Sequence, residues 1–119
     1  MPEKHSRIIY GQRAFWLTKR LWELADGLEI FPVSINEIKE FDQNCWFAAE
    51  NPPTCRAVAE HSKKIADADL SFPIILSSEG RLMDGGHRIA KAWLLGQEKI
   101  YAVQFEEDPA PDYFEPKGT

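Results

Sequence analysis

The chain has 119 residues, 44% of them hydrophobic, with four tryptophans and seven phenylalanines, which is enough to bury one core and too little for two full domains. Nineteen acidic against fourteen basic residues give a formal charge of −5, which disfavours nucleic-acid binding by broad phosphate neutralisation and confines any anion site to a local patch. No run approaches the roughly 18 apolar residues of a membrane span, the opening MPEKHSRIIYGQ lacks the apolar segment of a secretion signal, and Cys45 and Cys55 stand in neither CxxC nor zinc-finger spacing. The expectation is a single cytoplasmic domain over 1–119, with reduced thiols, no metal ligands and no membrane contact.

In chain order, apolar residues at 14, 17, 21, 24, 25 and 28 follow the spacing of one helix face and predict an N-terminal helix over 12–28. Lys4, Arg7, Arg13, Lys19 and Arg20 gather near it and read as its solvated surface. Gly27 and Pro32 supply the stop, and FPVSINEI reads as a short strand with Val33 and Ile35 on one face. Residues 41–53 have no clean period and read as a loop held by Trp46 and Phe47. Thr54 is a fitting N-cap for a helix over 54–69, in which Val58, His61, Ser62 and Ile65 share a face. Pro73–Leu76, the turn residues 77–80 and Arg81–Asp84 make a hairpin. A helix follows from Gly86 to Leu95, with Ile89, Ala92 and Trp93 toward the core and Gly96 as its stop; 99–105 is the final strand, and the acidic, proline-rich tail 107–119 straps the surface.

The segment Asp84-Gly85-Gly86-His87-Arg88 falls where a strand runs into a helix. Unpaired N–H groups at a helix N-terminus carry roughly half a unit of positive charge, and glycines there let a ligand approach the backbone. His87 and Arg88 in the first turn, with Lys91 one turn on, oppose the helix dipole unless an anion sits among them. The pattern reads as a phosphate cradle formed by Gly85, Gly86, His87, Arg88 and Lys91. The competing reading is a tight turn capped by Asp84, with His87 and Arg88 in water or paired with acidic neighbours.

From Ala57 to Phe105 the chain resembles the ParB/sulfiredoxin superfamily. The resemblance rests on Ile65, Pro73-Ile74, Gly80, the box Gly85-Gly-His-Arg-Ile-Ala-Lys-Ala-Trp-Leu-Leu-Gly96 and the closing IYAVQF, in that order. It implies an α+β fold, a small mixed sheet with packed helices, here with an extra N-terminal helix. It further implies that Gly85, His87 and Arg88 face the phosphates of a nucleotide, ATP or CTP with Mg2+. Gly86 stands where sulfiredoxin carries its reactive cysteine, so sulfinic-acid reduction is not expected. Asp84 resembles the aspartate that precedes the glycines in the kinase-like branch, and Glu37 and Glu40 lie roughly where that branch carries its catalytic glutamate, a general base; the alternative is that both are plain solvent-exposed acids. His61 is a further catalytic candidate, or a half-buried histidine in need of a hydrogen-bond partner.

These residues imply a stand-alone domain that binds a nucleotide or phosphorylated small molecule, with phosphotransfer or hydrolysis as the chemistry open to it. The alternative is a non-catalytic interaction or regulatory module. A ParB-type DNA-associated protein ranks third, because the charge is wrong and the helix-turn-helix and dimerisation domains do not fit in the length.

Overall fold

The computed structural model describes residues 3–116 and is an α+β fold of three helices and two sheets. The first departure from expectation comes at once. Strand β1 (Lys4–Ile9) and strand β2 (Gln12–Leu17) form a hairpin, and only Thr18–Ala25 is helical, as α1. Tyr10 (φ 50°) and Gly11 (φ 79°) both take the left-handed conformation that a two-residue hairpin turn requires. The 14, 17, 21 spacing had suggested one continuous helix over 12–28. Ala14 and Trp16, however, are buried two residues apart, and the aromatic, strand-favouring stretch Phe15–Leu17 finds its partner in residues 4–9. Leu21 and Ala25, four apart on α1, cover the adjoining core, and Gly27 at φ 86° ends the turn.

A four-stranded mixed sheet lies at the centre. It is built from β3 (Phe31–Ser34), β4 (Ile74–Leu76), β5 (Leu82–Asp84) and β6 (Lys99–Gln104), in the order β3-β6-β4-β5, with β4 and β6 parallel and the other pairs antiparallel. Strand β3 is shorter than FPVSINEI suggested. Buried Ile35 opens one 3₁₀ turn, Ile35–Glu37, and a second spans Lys39–Asp42. Ile35 still donates its N–H to the Glu98 carbonyl at 3.0 Å, extending the ladder by one bond.

Both faces of this sheet are covered, which accounts for the unbroken apolar run Ile74-Ile75-Leu76. Side chains alternate across it. Ile74, Leu76, Ile100 and Ala102 meet Ile89 and Ala92 of helix α3 (Gly86–Leu94), together with Ile35 and Ile38. Ile75, Met83, Val103 and Phe105 meet Ala14, Trp16, Leu21 and Ala25 on the opposite side. Trp93, expected in the core, lies instead at the edge of α3 against Phe41 and is 55% exposed. Gly96 at φ 80° closes α3, with its N–H on the Trp93 carbonyl and that of Gln97 on the Ala92 carbonyl, the paired bonds of a Schellman stop.

Helix α2 (Cys55–Asp67) packs on α3 from outside. The Thr54 hydroxyl accepts the Ala57 N–H at 3.1 Å, as its position before the helix predicts. The helix stops at Asp67, two residues early, because Asp69 uses its carboxylate to accept from Ser71 in the next turn. No helix among the described residues is long and apolar enough to cross a membrane.

The tail does strap the surface, and it adds a strand. Strand β7 (Tyr113–Phe114) pairs with β2, so the outer sheet runs β1-β2-β7. Before it, the Pro109 carbonyl accepts the indole N–H of buried Trp16 at 2.8 Å. Asp108 binds both Arg7 (2.7 Å) and the Ser78 N–H (2.8 Å), tying the hairpin to the central sheet. Removing residues 107–119 therefore leaves a buried indole donor without an acceptor and strips cover from it. We expect stability in urea to fall by about 2 kcal/mol or more, with a red shift of tryptophan emission; unchanged unfolding would show that the tail lies idly on the surface.

Candidate functional site at the start of the third helix

The glycine pair has two separate causes. Gly85 sits at φ 122°, and a Cβ there would lie 2.5 Å from Ile74 Cγ2 and 3.1 Å from an Arg88 guanidinium nitrogen. Only glycine allows the start of α3 to press so closely on β4. At Gly86 a Cβ would stand 3.4 Å from the Trp46 indole nitrogen, so this glycine seats the tryptophan of the 43–53 loop. No side chain caps the helix, and its first internal bond runs from the Ile89 N–H to the Gly85 carbonyl at 3.0 Å. The N–H groups of Gly86, His87 and Arg88 lie ahead of that bond, without an intrahelical acceptor.

This helix end opens on a cleft of about 1000 Å³ whose other wall is the β1–β2 hairpin. Lys4, His5, Arg7 and Arg13 line it from the hairpin, Arg81 and Asp84 from β5 and its turn, and Cys45 and Trp46 from the loop. An apolar pocket of about 200 Å³, walled by Phe41, Leu82, Ile89 and Ala90, shares Gly86 and Trp46 with the cleft. Arg7 is paired with Asp108, but its Nε is buried without a partner among the described residues. Arg13 donates to the Ser6 hydroxyl at 3.1 Å and has no carboxylate partner among the described residues. Burial, reinforced by Arg7, pushes the His5 imidazole down from 6.5 to about 4.

The candidate residues separate on this geometry. Asp84, Gly85, Gly86 and His87 line the cleft. Arg88, expected to face an anion, is turned under the floor: it donates to Asp84 at 3.0 Å, lies 5.2 Å from the Trp22 ring centre, and keeps a buried Nε without a partner among the described residues. Asp84 also accepts the Trp22 indole N–H at 2.9 Å. Lys91 leaves the cradle altogether, because its ammonium donates to the Ala66 and Ala68 carbonyls (2.8 and 2.7 Å) and closes the end of α2. Glu37 is exposed and outside the cleft lining. Glu40 does reach the cleft, but its carboxylate is held by Arg81 at 2.6 Å and by the Leu82 N–H at 3.2 Å, so it works as a brace.

His61 finds its partner in His87. The Nδ1 of His61 stands 2.8 Å from the Nε2 of His87, and the two rings lie nearly parallel to one face of Trp46, with ring centres 4.8 and 4.6 Å away. Phe47 closes the far side of His61, edge-on, at 5.3 Å. Burial, with His61 and Lys64 nearby, lowers His87 to about 4; burial and Lys64 also lower His61. His87 is therefore neutral at pH 7 and is not the phosphate-binding cation expected of it.

Trp46, Arg7, Arg13, His5 and Arg81 were not read as site residues. The signal for the hairpin group was present in Tyr10-Gly11, flanked by alternating side chains, but it was overridden by the helical spacing beyond it. Both cysteines are free and exposed, and no group of three or more metal-ligating side chains occurs among the described residues. Comparison with protein-family models, curated proteins and solved structures yields no match.

Two measurements separate these roles. Gly85→Ala should cost about 2 to 4 kcal/mol in urea unfolding, from positive-φ strain plus overpacking on Ile74, whereas Gly86→Ala should stay within about 1 kcal/mol. Equal losses would contradict the division. The histidines set the acid limb. Their folded-state values lie below 6.5, so the unfolded chain takes up protons first as pH falls. Stability is fully present above 6.5 and is lost progressively down to about 4. His87→Gln should make that decline shallower, as read from unfolding midpoints across the window.

Proposed function

We propose that this protein binds a nucleotide or another phosphorylated small molecule in the cleft, with the phosphate over the start of α3. The observation that carries this reading is that Lys4, Arg7, Arg13 and Arg81 line the same cleft as the open N–H groups of a helix N-terminus; of the four acids on that lining, Glu40 and Asp84 are held by Arg81 and Arg88, and Glu3 and Glu79 make up the rest. The unpartnered Nε of Arg7 adds a buried donor on the same wall. The adjoining apolar pocket suits a base or another flat, weakly polar group.

The element order supports the ParB/sulfiredoxin reading: a helix, a strand beginning after Pro73, a hairpin, a glycine-led helix ending at Gly96, and a last long strand. ATP or CTP fits the cleft by class. Mg2+ has no preformed cage among the described residues, so it would enter on the phosphates, with at most one or two carboxylates from the protein. Broad duplex binding remains disfavoured, because the chain as a whole is acidic, with nineteen acidic against fourteen basic residues.

Calorimetry with ATP, CTP and ADP, each with Mg2+, tests the reading. Arg13→Ala removes a charged contact and should weaken binding about tenfold, which corresponds to about 1.4 kcal/mol. Arg88→Ala should act on the fold instead, costing about 2 kcal/mol by leaving Asp84 without its cation. No heat and no thermal shift with any nucleotide would transfer the weight to the interaction-module reading, which the exposed run Trp93-Leu94-Leu95 supports.

A further inference from the structure

Resting on the reading of the cleft as a nucleotide site, we propose that His87 and His61 form a proton relay from the cleft to the surface, with His87 accepting the proton of a bound hydroxyl. Three observations carry it. The rings meet nitrogen to nitrogen at 2.8 Å, so one must donate and the other accept, and the pair holds a transferable proton between them. Trp46 fixes both rings, with interplanar angles of 12° and 4°, so they share one orientation and cannot turn independently. Both rings are partly exposed, but His87 lines the cleft whereas His61, on the outer helix α2, lies outside its lining, so the pair runs from the cleft to a second surface.

The carboxylates do not compete for this work. Asp84 is engaged by Arg88 and Trp22, and Glu40 by Arg81 and the Leu82 N–H. The Nδ1 of His87 has no hydrogen-bond partner among the described residues. The charges facing the pair are Glu60 and Lys64 on α2, Arg88 on α3 and Asp84 at the end of β5. The Trp46–Phe47 side of the stack brings none. Burial keeps His87 unprotonated at neutral pH, the state an acceptor needs.

The bound hydroxyl gives its proton to His87 Nδ1; its O–H bond breaks and the oxygen keeps the electron pair. As that N–H bond forms, the proton on His87 Nε2 crosses to His61 Nδ1. His61, now protonated on both nitrogens, releases its Nε2 proton to water. The oxygen attacks the terminal phosphorus of the nucleotide, and the bond to the leaving nucleoside diphosphate breaks with its electrons on the departing oxygen. His61 then takes up a proton from water at Nε2, the shared proton returns to His87 Nε2, and His87 Nδ1 gives its proton to the departing diphosphate oxygen, which restores both tautomers.

Nitrogen-15 spectra of the histidines test the ground state without any ligand. At neutral pH we expect His87 protonated on Nε2 and bare at Nδ1, with His61 bare at Nδ1; a proton on His87 Nδ1, or a cationic His87, overturns the relay. Function is read with ATP and Mg2+, by product formation in water and with a panel of small alcohols, while calorimetry follows affinity separately. His61→Phe keeps the stack on Trp46 and removes the acceptor. We expect it to bind ATP within about twofold of wild type and to turn over about a hundredfold more slowly. His61→Asn replaces the Nδ1 acceptor with an amide oxygen that cannot carry a proton onward, and its turnover should stay low. Wild-type turnover in either variant overturns the relay, and so does a wild type that binds ATP without turning it over, which leaves the binding reading intact. A wild type that gives no calorimetric signal with any nucleotide fails at the binding step and removes both.

Discussion

The close approach of Gly85 to Ile74 is the constraint on which the site depends. Because the chain has no Cβ at Gly85, the turn out of β5 lies directly on β4, and α3 begins at the sheet surface instead of several ångströms above it. That placement fixes three things. Ile89 and Ala92 reach the inner face of the sheet, the open N–H groups of the first turn face the hairpin across the cleft, and Gly86 leaves room for Trp46. Trp46 in turn is the plate on which His61 and His87 lie. A larger residue at Gly85 would shift the helix end and, with it, every group that the cleft uses.

Around this point the protein spends its charges on internal ties. Arg88 holds Asp84 beneath the floor, Arg81 holds Glu40 in the wall, Arg7 holds Asp108 of the tail, and Arg20 lies 3.3 Å from Asp112. None of these pairs is wholly buried, so each adds modestly to stability, and their main effect is on shape. Glu40 and Asp84 each also accept an N–H from backbone or indole, which sets the direction of the carboxylate. Residues that look like catalytic acids in the sequence thus act as braces. Outside these ties stand the backbone N–H groups at the start of α3, Arg13 and the pair of imidazoles.

The hairpin and the tail complete the cleft from the far side. Neither belongs to the segment from Ala57 to Phe105 that carries the family resemblance. They depend on each other: β7 pairs with β2, Pro109 caps the Trp16 indole, and Asp108 bridges Arg7 to the Ser78 N–H of the central hairpin turn. A wall made this way supplies Lys4, Arg7 and Arg13, and the C-terminal segment meets it through Tyr113 at Lys4 and Asp108 at Arg7.

The sequence by itself determined the elements whose signals are local. Thr54 before an amphipathic run, the apolar Ile74–Leu76 beside turn residues, and the glycines at 85 and 96 are each recognised from a few residues, and the corresponding helices and hairpin lie where those signals put them, apart from the early stop of α2 at Asp67. The strand-to-helix turn as the centre of the cleft was legible for the same reason. What only the tertiary structure decided were the states that depend on distant partners. Residues 12–17 satisfy helical and strand spacing alike, and pairing with 4–9 and 113–114 settles them as strand. Lys91 and Glu40 are charged groups whose partners lie far along the chain, so their direction, toward the Ala66 and Ala68 carbonyls and Arg81, could not be read from their own neighbours; Arg88 pairs with Asp84, an acidic neighbour only four residues away. His61 and His87 are 26 residues apart, and only the packing of α2 on α3 under Trp46 brings their nitrogens within 2.8 Å. Periodicity records which face of an element is apolar; it carries no information about which distant side chain completes a polar group, and that choice is made by packing.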